Sequence, residues 1–500
     1  MEWFDDWGLS LTTFLPLVGA IVLMFLPTAK DAAIKATGTL FAALALLAGI
    51  VVALRFDYGD SGAMQQVVEL EWIPQINVNY HVGVDGISLP MVVLSVLVSF
   101  LCMIYLYFHV PDPGKPKALF ALVLLLETGM TGTFVALDLI LFFIFFEIVL
   151  VPMYFMIGIW GGPRKDYAAI KFFIYTHIAS LALLVSIMAM YFQAGVGSFG
   201  MEDIWRAGQT EFTKGFQLIV FGAAFFGFGV KVPMVPFHTW LPDAHVEAPT
   251  AGSVLLAGLL LKMGGYGIIR VAIPSLPDGA DAMQIVIAVI AVVSILYGAI
   301  LCLAQKDLKK MVAYSSISHM GFVLLGFATF TELGIVAGVF QMFAHGLVTA
   351  VLFMMCGVVQ HKCGTRMIPS LGGLSKKMPI AATMMTIGFL ASLGLPGLVS
   401  FAAEFMIFAS MFQIWSLWLF LPIVSVAITA GYYLWALQKS MFGPLTDRID
   451  TTRVHDVSWY EGVPVGALIA LIAIFGVFPM VVFQYIGPAV KVITALLGGG

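Results

Sequence analysis

The chain has 500 residues, 61% of them hydrophobic and 10% charged, and its mean hydropathy is +1.02. No soluble domain carries that excess of apolar surface, so the composition indicates a polytopic membrane protein. A formal net charge of −4 offers neither the basic face that nucleic acid requires nor a reason to expect an acidic partner.

Apolar helices of about 20 residues span a bilayer, and fourteen are predicted, at roughly 9–27, 32–54, 87–108, 117–136, 138–160, 167–193, 216–240, 249–274, 281–304, 311–330, 333–358, 380–411, 415–438 and 463–488. The alternating, turn-separated strands of a membrane barrel are absent, so the expected fold is all-α. The N-terminal "MEWFDDWGLS" is acidic and lacks a basic n-region, so no cleavable signal peptide is expected. Between the second and third spans, "VVELEWI" and "INVNYHVGVDG" alternate apolar and polar residues, which predicts a small outer hairpin within about 56–86. The polar connection at about 441–462 leads to a last span ending near 488 and a short tail. Cys102, Cys302, Cys356 and Cys363 form no CxxC pair and read as small apolar fillers.

Orientation follows from the basic residues. Of 24 lysines and arginines, seventeen fall in loops after odd-numbered spans, five (Arg55, Arg206, Lys214, Arg270 and Lys491) on the other side, and Lys231 and Lys262 inside spans. Both termini are therefore expected on the outer, periplasmic side of an energy-transducing membrane, most simply a bacterial inner membrane.

Two units of five helices, 117–274 and 281–438, have nearly equal length, and an odd number of crossings inverts the second against the first. The expected layout is a three-helix region at 1–116, the two inverted repeats, and a loop with the last span at 439–500. Inverted repeats place transporter sites at interrupted helices near the midplane. The seventh and twelfth spans are the interrupted ones: "VKVPMVPFHTW" holds Lys231, and "GLPGLVSFAAEF" holds Glu404. Proline removes an N–H and frees carbonyls, which survive in a membrane only facing protein or water.

Ionisable groups at the bilayer centre cost roughly 2.5–3.5 kcal/mol on insertion scales. The series Glu127, Glu147, Lys231, Lys262, His319, His345 and Glu404 therefore stands out. Any one of these could be a satisfied core residue. Together, Glu147, Lys231, Lys262 and Glu404 point to transfer of protons. Desolvation disfavours the charged lysine and readies it to release a proton, while a nearby carboxylate restores the charge. A Glu147–Lys231 pair is thus the expected gate, with Lys262 receiving the proton, His319 bridging, and Glu404 at the exit. His238, Asp243, His245 and Glu247 imitate a ligand cluster but match no zinc spacing and sit among prolines, so no metal is expected there. Nucleophile elbows, P-loops and dinucleotide fingerprints are absent, and no cofactor is expected in this chain.

"FFEIVLVPMYFMIGIWGG", "VKVPMVPFHTWLPDAHVEAPT", "LLKMGGYGIIR", "AYSSISHMGF", "FQMFAHGLVTAVLF" and "GLPGLVSFAAEF" together resemble the antiporter-like subunits of respiratory NADH:quinone oxidoreductase, complex I. Glu404 on the twelfth span, and a chain that stops after the fourteenth, point to the NuoM (mitochondrial chain 4) type. The resemblance implies that Glu147 and Lys231 serve the proton-input half, Lys262 the centre and Glu404 the output end. His319 and His345 fall on the hydrated axis between them, and Glu127 receives no role. It also implies FMN, iron–sulfur clusters and quinone in partner subunits, and NuoL-type and NuoN-type neighbours. The nearest alternative is a subunit of a multisubunit Na⁺/H⁺ antiporter on the same fold. A membrane scaffold without a proton path is a third reading, opposed by the spacing of the ionisable residues.

Overall fold

The computed structural model describes residues 2–452 and 454–497. Among these, the only sheet is the expected hairpin, β1 (Gln65–Ile73) paired antiparallel with β2 (Val78–Val84) in a register that sets Val68 opposite Val82. It follows α1 (Glu2–Phe25) and α2 (Asp31–Arg55). Then come α3 (Ser88–Phe108), α4 (Pro116–Val135), α5 (Leu139–Trp160), α6 (Lys165–Ala194) and the short α7 (Met201–Thr210). Helices α8 (Lys214–Lys231) and α9 (Trp240–Glu247) form the broken seventh span, followed by α10 (Thr250–Ser275), α11 (Pro277–Leu303), α12 (Leu308–Ala328) and α13 (Glu332–Cys363). The second broken span is α14 (Pro379–Ser392) with α15 (Val399–Trp415), and α16 (Phe420–Ser440), α17 (Trp459–Val477) and α18 (Met480–Leu496) complete the chain.

Among the described residues, twelve helical stretches are long and apolar enough to cross a membrane, and one of them, Val399–Ser440, is α15 and α16 joined at a single turn. That falls short of the fourteen spans expected from sequence. The difference has two sources: the proline-interrupted seventh span folds as the pieces α8 and α9, neither among the twelve, and the twelfth and thirteenth spans are counted together in Val399–Ser440. The end of the chain also departs from expectation. In place of a short tail after 488, α17 stops at Val477, turns through Phe478 and Pro479, and continues as α18 to Leu496. Phe343 meets Phe475 and Phe340 meets Phe483, so both pieces run along α13 in one direction.

That bend has a neighbour. A side chain at Gly476 would come within 2.5 Å of the Gly397 carbonyl and of Leu398, in the break between α14 and α15. The last span therefore touches backbone at the interruption, and only glycine allows it. Gly394 and Gly397 in that break have φ of +79° and +90°, where a Cβ is disfavoured.

Helices α10 and α13 are buried along their whole apolar windows and form the axis of the bundle. Around them, α2, α6 and α11 turn Leu40, Ile174, Val185, Ile285 and Val289 outward, as lipid-facing helices do. Two π-helical stretches, Leu256–Leu260 and Ile268–Ala272, interrupt α10. A buried ion pair, Arg270 Nη2 to Asp85 Oδ1 at 2.6 Å, ties the second of these to the segment before α3. Sequence counted Arg270 as an outer-loop charge. It is 1% exposed, because Asp85 and the Tyr266 hydroxyl, 3.2 Å from Arg270 Nε, take the place of water. Lys309 likewise is no free loop charge: it is buried and donates to the Ala248 carbonyl at 2.5 Å.

Candidate functional site

Lys231 is the last residue of α8. Pro233 and Pro236 follow, so the helix lacks the amide donors to continue. The carbonyls so released find partners: the Trp240 indole N–H, from α9, donates to the Val230 carbonyl at 3.0 Å. Lys231 itself is 3% exposed and donates to the Phe146 carbonyl at 2.7 Å. Its Nζ lies 3.4 Å from the Phe146 ring centroid, a desolvated cation–π contact. The Phe146 carbonyl sits beside an irregularity of α5 at Val149, and Pro152 leaves the Ile148 carbonyl without its helical donor.

The expected Glu147–Lys231 pair is not formed. Glu147 Oε2 meets His177 Nδ1 of α6 at 3.1 Å, and Oε1 is buried without a hydrogen-bond partner among the described residues. The lysine is held instead by the residue before the glutamate, so the two groups lie on adjacent positions of one helix turn and share no bond. His177 went unremarked in the sequence, although the one histidine inside the apolar run 167–193 was the available signal.

The second half is connected. Lys262, wholly buried on α10, places Nζ 2.6 Å from His345 Nδ1 of α13 and also donates to the Ala257 carbonyl. Ala257 lies in the first π stretch, five residues before Lys262, where the widened turn disturbs the regular carbonyl partners. The rings of His345 and His319 have centroids 5.6 Å apart. His319 Nδ1 on α12 is 3.2 Å from Glu404 Oε1 on α15, to which Gln341 Nε2 donates at 3.3 Å. On its other side His319 Nε2 meets Ser392 Oγ at 3.0 Å, and Ser392 continues to the Tyr433 hydroxyl at 2.7 Å and on to Ser315 Oγ, 2.9 Å further. Lys262, His345, His319 and Glu404 thus form one row across four helices.

Five residues noted in the sequence stand apart from it. Glu127 on α4 is fully buried and neither carboxyl oxygen has a hydrogen-bond partner among the described residues. Asp243 pairs with Lys171 at 2.7 Å, and Glu247 faces Arg164 at 3.6 Å, so the acidic members of the "HTWLPDAHVE" cluster serve ion pairs. His238 packs edge-on against Tyr297, and His245 stacks on Phe353. Their four side chains do not converge. Gln341, Ser392 and Tyr433 were not singled out from sequence, since an isolated amide or hydroxyl in a span carries no distinctive pattern.

Imidazole is suited to such a row. With Lys262 donating to Nδ1, neutral His345 carries its proton on Nε2, and a proton accepted at one nitrogen is released from the other. Carboxylate, imidazole and amine side chains can each hold a proton, and burial makes the state of each depend on its neighbour's charge.

A helical bundle with two broken spans and a buried row of amine, imidazole and carboxylate defines the antiporter-like class of membrane subunit. The chain belongs to the family described as NADH:quinone oxidoreductase/Mrp antiporter, TM, whose pattern matches residues 136–429, and within it to the NuoM type of complex I. It is 39% identical to F(420)H(2) dehydrogenase subunit M of Methanosarcina mazei, with 98% of each chain covered. It is 40% identical to NADH-quinone oxidoreductase subunit M of Rhodobacter capsulatus, covering 96% of this chain and 95% of that one. A chain of respiratory complex I from Thermus thermophilus superposes with a TM-score of 0.89 at 29% identity, over 98% of this chain and 100% of the other.

Proposed function

We propose that the chain translocates protons through Glu147, Lys231, Lys262, His345, His319 and Glu404, driven by NADH oxidation and quinone reduction in other subunits. The observation that carries this reading is the row from Lys262 to Glu404. FMN, iron–sulfur clusters and quinone belong to those partners, and NuoL-type and NuoN-type subunits are the membrane neighbours. The names of the relatives support this assignment, and they present both NADH and reduced F420 as electron donors. Fourteen crossings in two inverted repeats, with both termini on the periplasmic side, complete the arrangement.

Proton entry at the first half uses Glu147 with His177. Lys231, perched on the Phe146 ring, responds to the charge on Glu147 through space. Moving one charge against 100 mV requires roughly 2.3 kcal/mol, so transfer along the row must be coupled to distant redox steps.

The test uses inside-out membrane vesicles, energised with NADH or reduced F420 and read by quenching of a pH-sensitive dye. Lys262→Met in fully assembled complex should abolish proton uptake. Normal uptake by that variant would reject the pathway. The antiporter alternative is decided by purification: flavin and iron in the partners support the present reading, and small membrane subunits alone overturn it.

A further inference from the structure

At the opposite end of α13 from Glu332 lies a second cluster of ionisable side chains that the proton row does not use. His109 follows directly on α3, His361 occupies the last turn of α13, and Glu461 the first turn of α17. We propose that these three side chains bind a divalent transition-metal ion of zinc's class.

The geometry is that of a ligand set. Tetrahedral zinc with bonds of about 2.0–2.1 Å holds its donor atoms roughly 3.3 Å apart. His109 Nε2 and His361 Nδ1 are 3.3 Å apart, His109 Nε2 and Glu461 Oε1 3.4 Å, and His361 Nδ1 and Glu461 Oε1 3.8 Å. The longest edge closes with a small turn of His361, which is half-exposed. Glu461 is wholly buried, and its Oε1, aimed at both imidazoles, has no hydrogen-bond partner among the described residues.

The other carboxylate oxygen is fixed. Glu461 Oε2 accepts from the Ser458 backbone N–H at 2.8 Å and lies 3.1 Å from Lys362 Nζ. Outer contacts of this kind orient a metal-binding carboxylate. Tyr105 stacks on the His109 ring at 5.1 Å and holds its plane. Two imidazoles and one carboxylate leave a fourth position for water. An entry path exists as well, because His109 and His361 both line a cavity of about 700 Å³ that also reaches Lys309 and Glu247. An ion here joins α3, α13 and α17, three helices with no covalent proximity, at the mouth of that cavity.

The experiment uses the whole purified complex, stripped with EDTA, desalted and titrated with zinc chloride. Bound zinc is counted by mass spectrometry against free zinc. His361→Ala and His109→Gln should each remove one bound equivalent or weaken it at least tenfold, while exposed His455→Ala leaves the isotherm unchanged. Because His361 is surface-accessible, its variant is not expected to impair folding, and circular dichroism of the complex checks this. Wild-type binding by both His361→Ala and His109→Gln overturns the proposal.

Discussion

Lys262 Nζ lies 2.6 Å from His345 Nδ1, and the two residues come from the two helices most completely buried in the bundle. An amine and an imidazole at that distance cannot both be charged without a heavy Coulomb penalty in a poorly hydrated core. One proton shared between them is therefore the occupancy that the proposed pathway implies, in which a second proton would push one along the row. His345 Nε2, which has no hydrogen-bond partner among the described residues, would be the atom from which it leaves on that pathway.

His345→Gln tests this sharing directly. Glutamine retains an acceptor for Lys262 but cannot take up and pass on a proton, so dye-quench rates in vesicles should fall by roughly 10²-fold, the usual scale for a lost acid–base group. Assembly, checked by native electrophoresis, should be unchanged. Unaltered quenching would show that protons bypass this imidazole.

Phe146 supports Lys231 in two ways, through its carbonyl and its ring, and only the ring can be removed by substitution. Phe146→Leu should lower stability by about 0.5–2 kcal/mol, the range of a cation–π contact, read as a reduced melting temperature of the complex in detergent. Equal melting curves for Phe146→Leu and wild type would remove the ring from the account.

The Arg270–Asp85 pair is buried on both sides. Removing one partner leaves the other charge without compensation and costs roughly 3–5 kcal/mol. Arg270→Met and Asp85→Leu alone should therefore each destabilise strongly, whereas the double variant recovers most of the loss. A thermal double-mutant cycle measures this coupling, and simple additivity would contradict it.

Asp138 links the hairpin to α5: its carboxylate accepts from Ile140 and Leu141 at 2.9 and 3.0 Å and from Asn79 at 3.2 Å. Burial nevertheless moves its carboxyl above the ordinary aspartate value of 3.8, outweighing those hydrogen bonds. A raised folded-state value means that the stabilising contribution is complete below the unfolded value and is lost as pH rises through the folded one. Asp138→Asn keeps the helix cap and cannot titrate, so wild type should gain stability relative to it as the pH is lowered from 6 toward 4. Parallel melting-temperature profiles for the two proteins would refute the assignment.

What could be read in the sequence were features that break the rules of a membrane helix. Pro233 and Pro236 marked one interruption, Gly394, Pro396 and Gly397 the other, and charges inside apolar runs marked Lys231, Lys262 and Glu404. Which charges meet was not legible. Glu147 and His177 belong to neighbouring helices, and whether the carboxylate turns toward His177 or Lys231 depends on rotation about the irregularity at Val149. Arg270 looked like a loop charge because its neighbour in sequence is a proline-rich turn, while its partner Asp85 lies far away in the chain. The metal-binding proposal was equally hidden, since its three side chains arrive from helix ends with no common motif.

The two π turns of α10 give the sequence around Lys262 a reading frame. A π turn holds one residue more than the surrounding α-helix requires, and each residue rotates the helix by about 100°. Deleting a single residue between Leu256 and Leu260 would remove that surplus, leaving a regular helix with its flanking turns in register but without the carbonyl that Ala257 offers Lys262. The extra residue is therefore a hydrogen-bonding device: a shorter, tidier helix would be a sound structural member in which the Lys262 amine has lost its backbone acceptor.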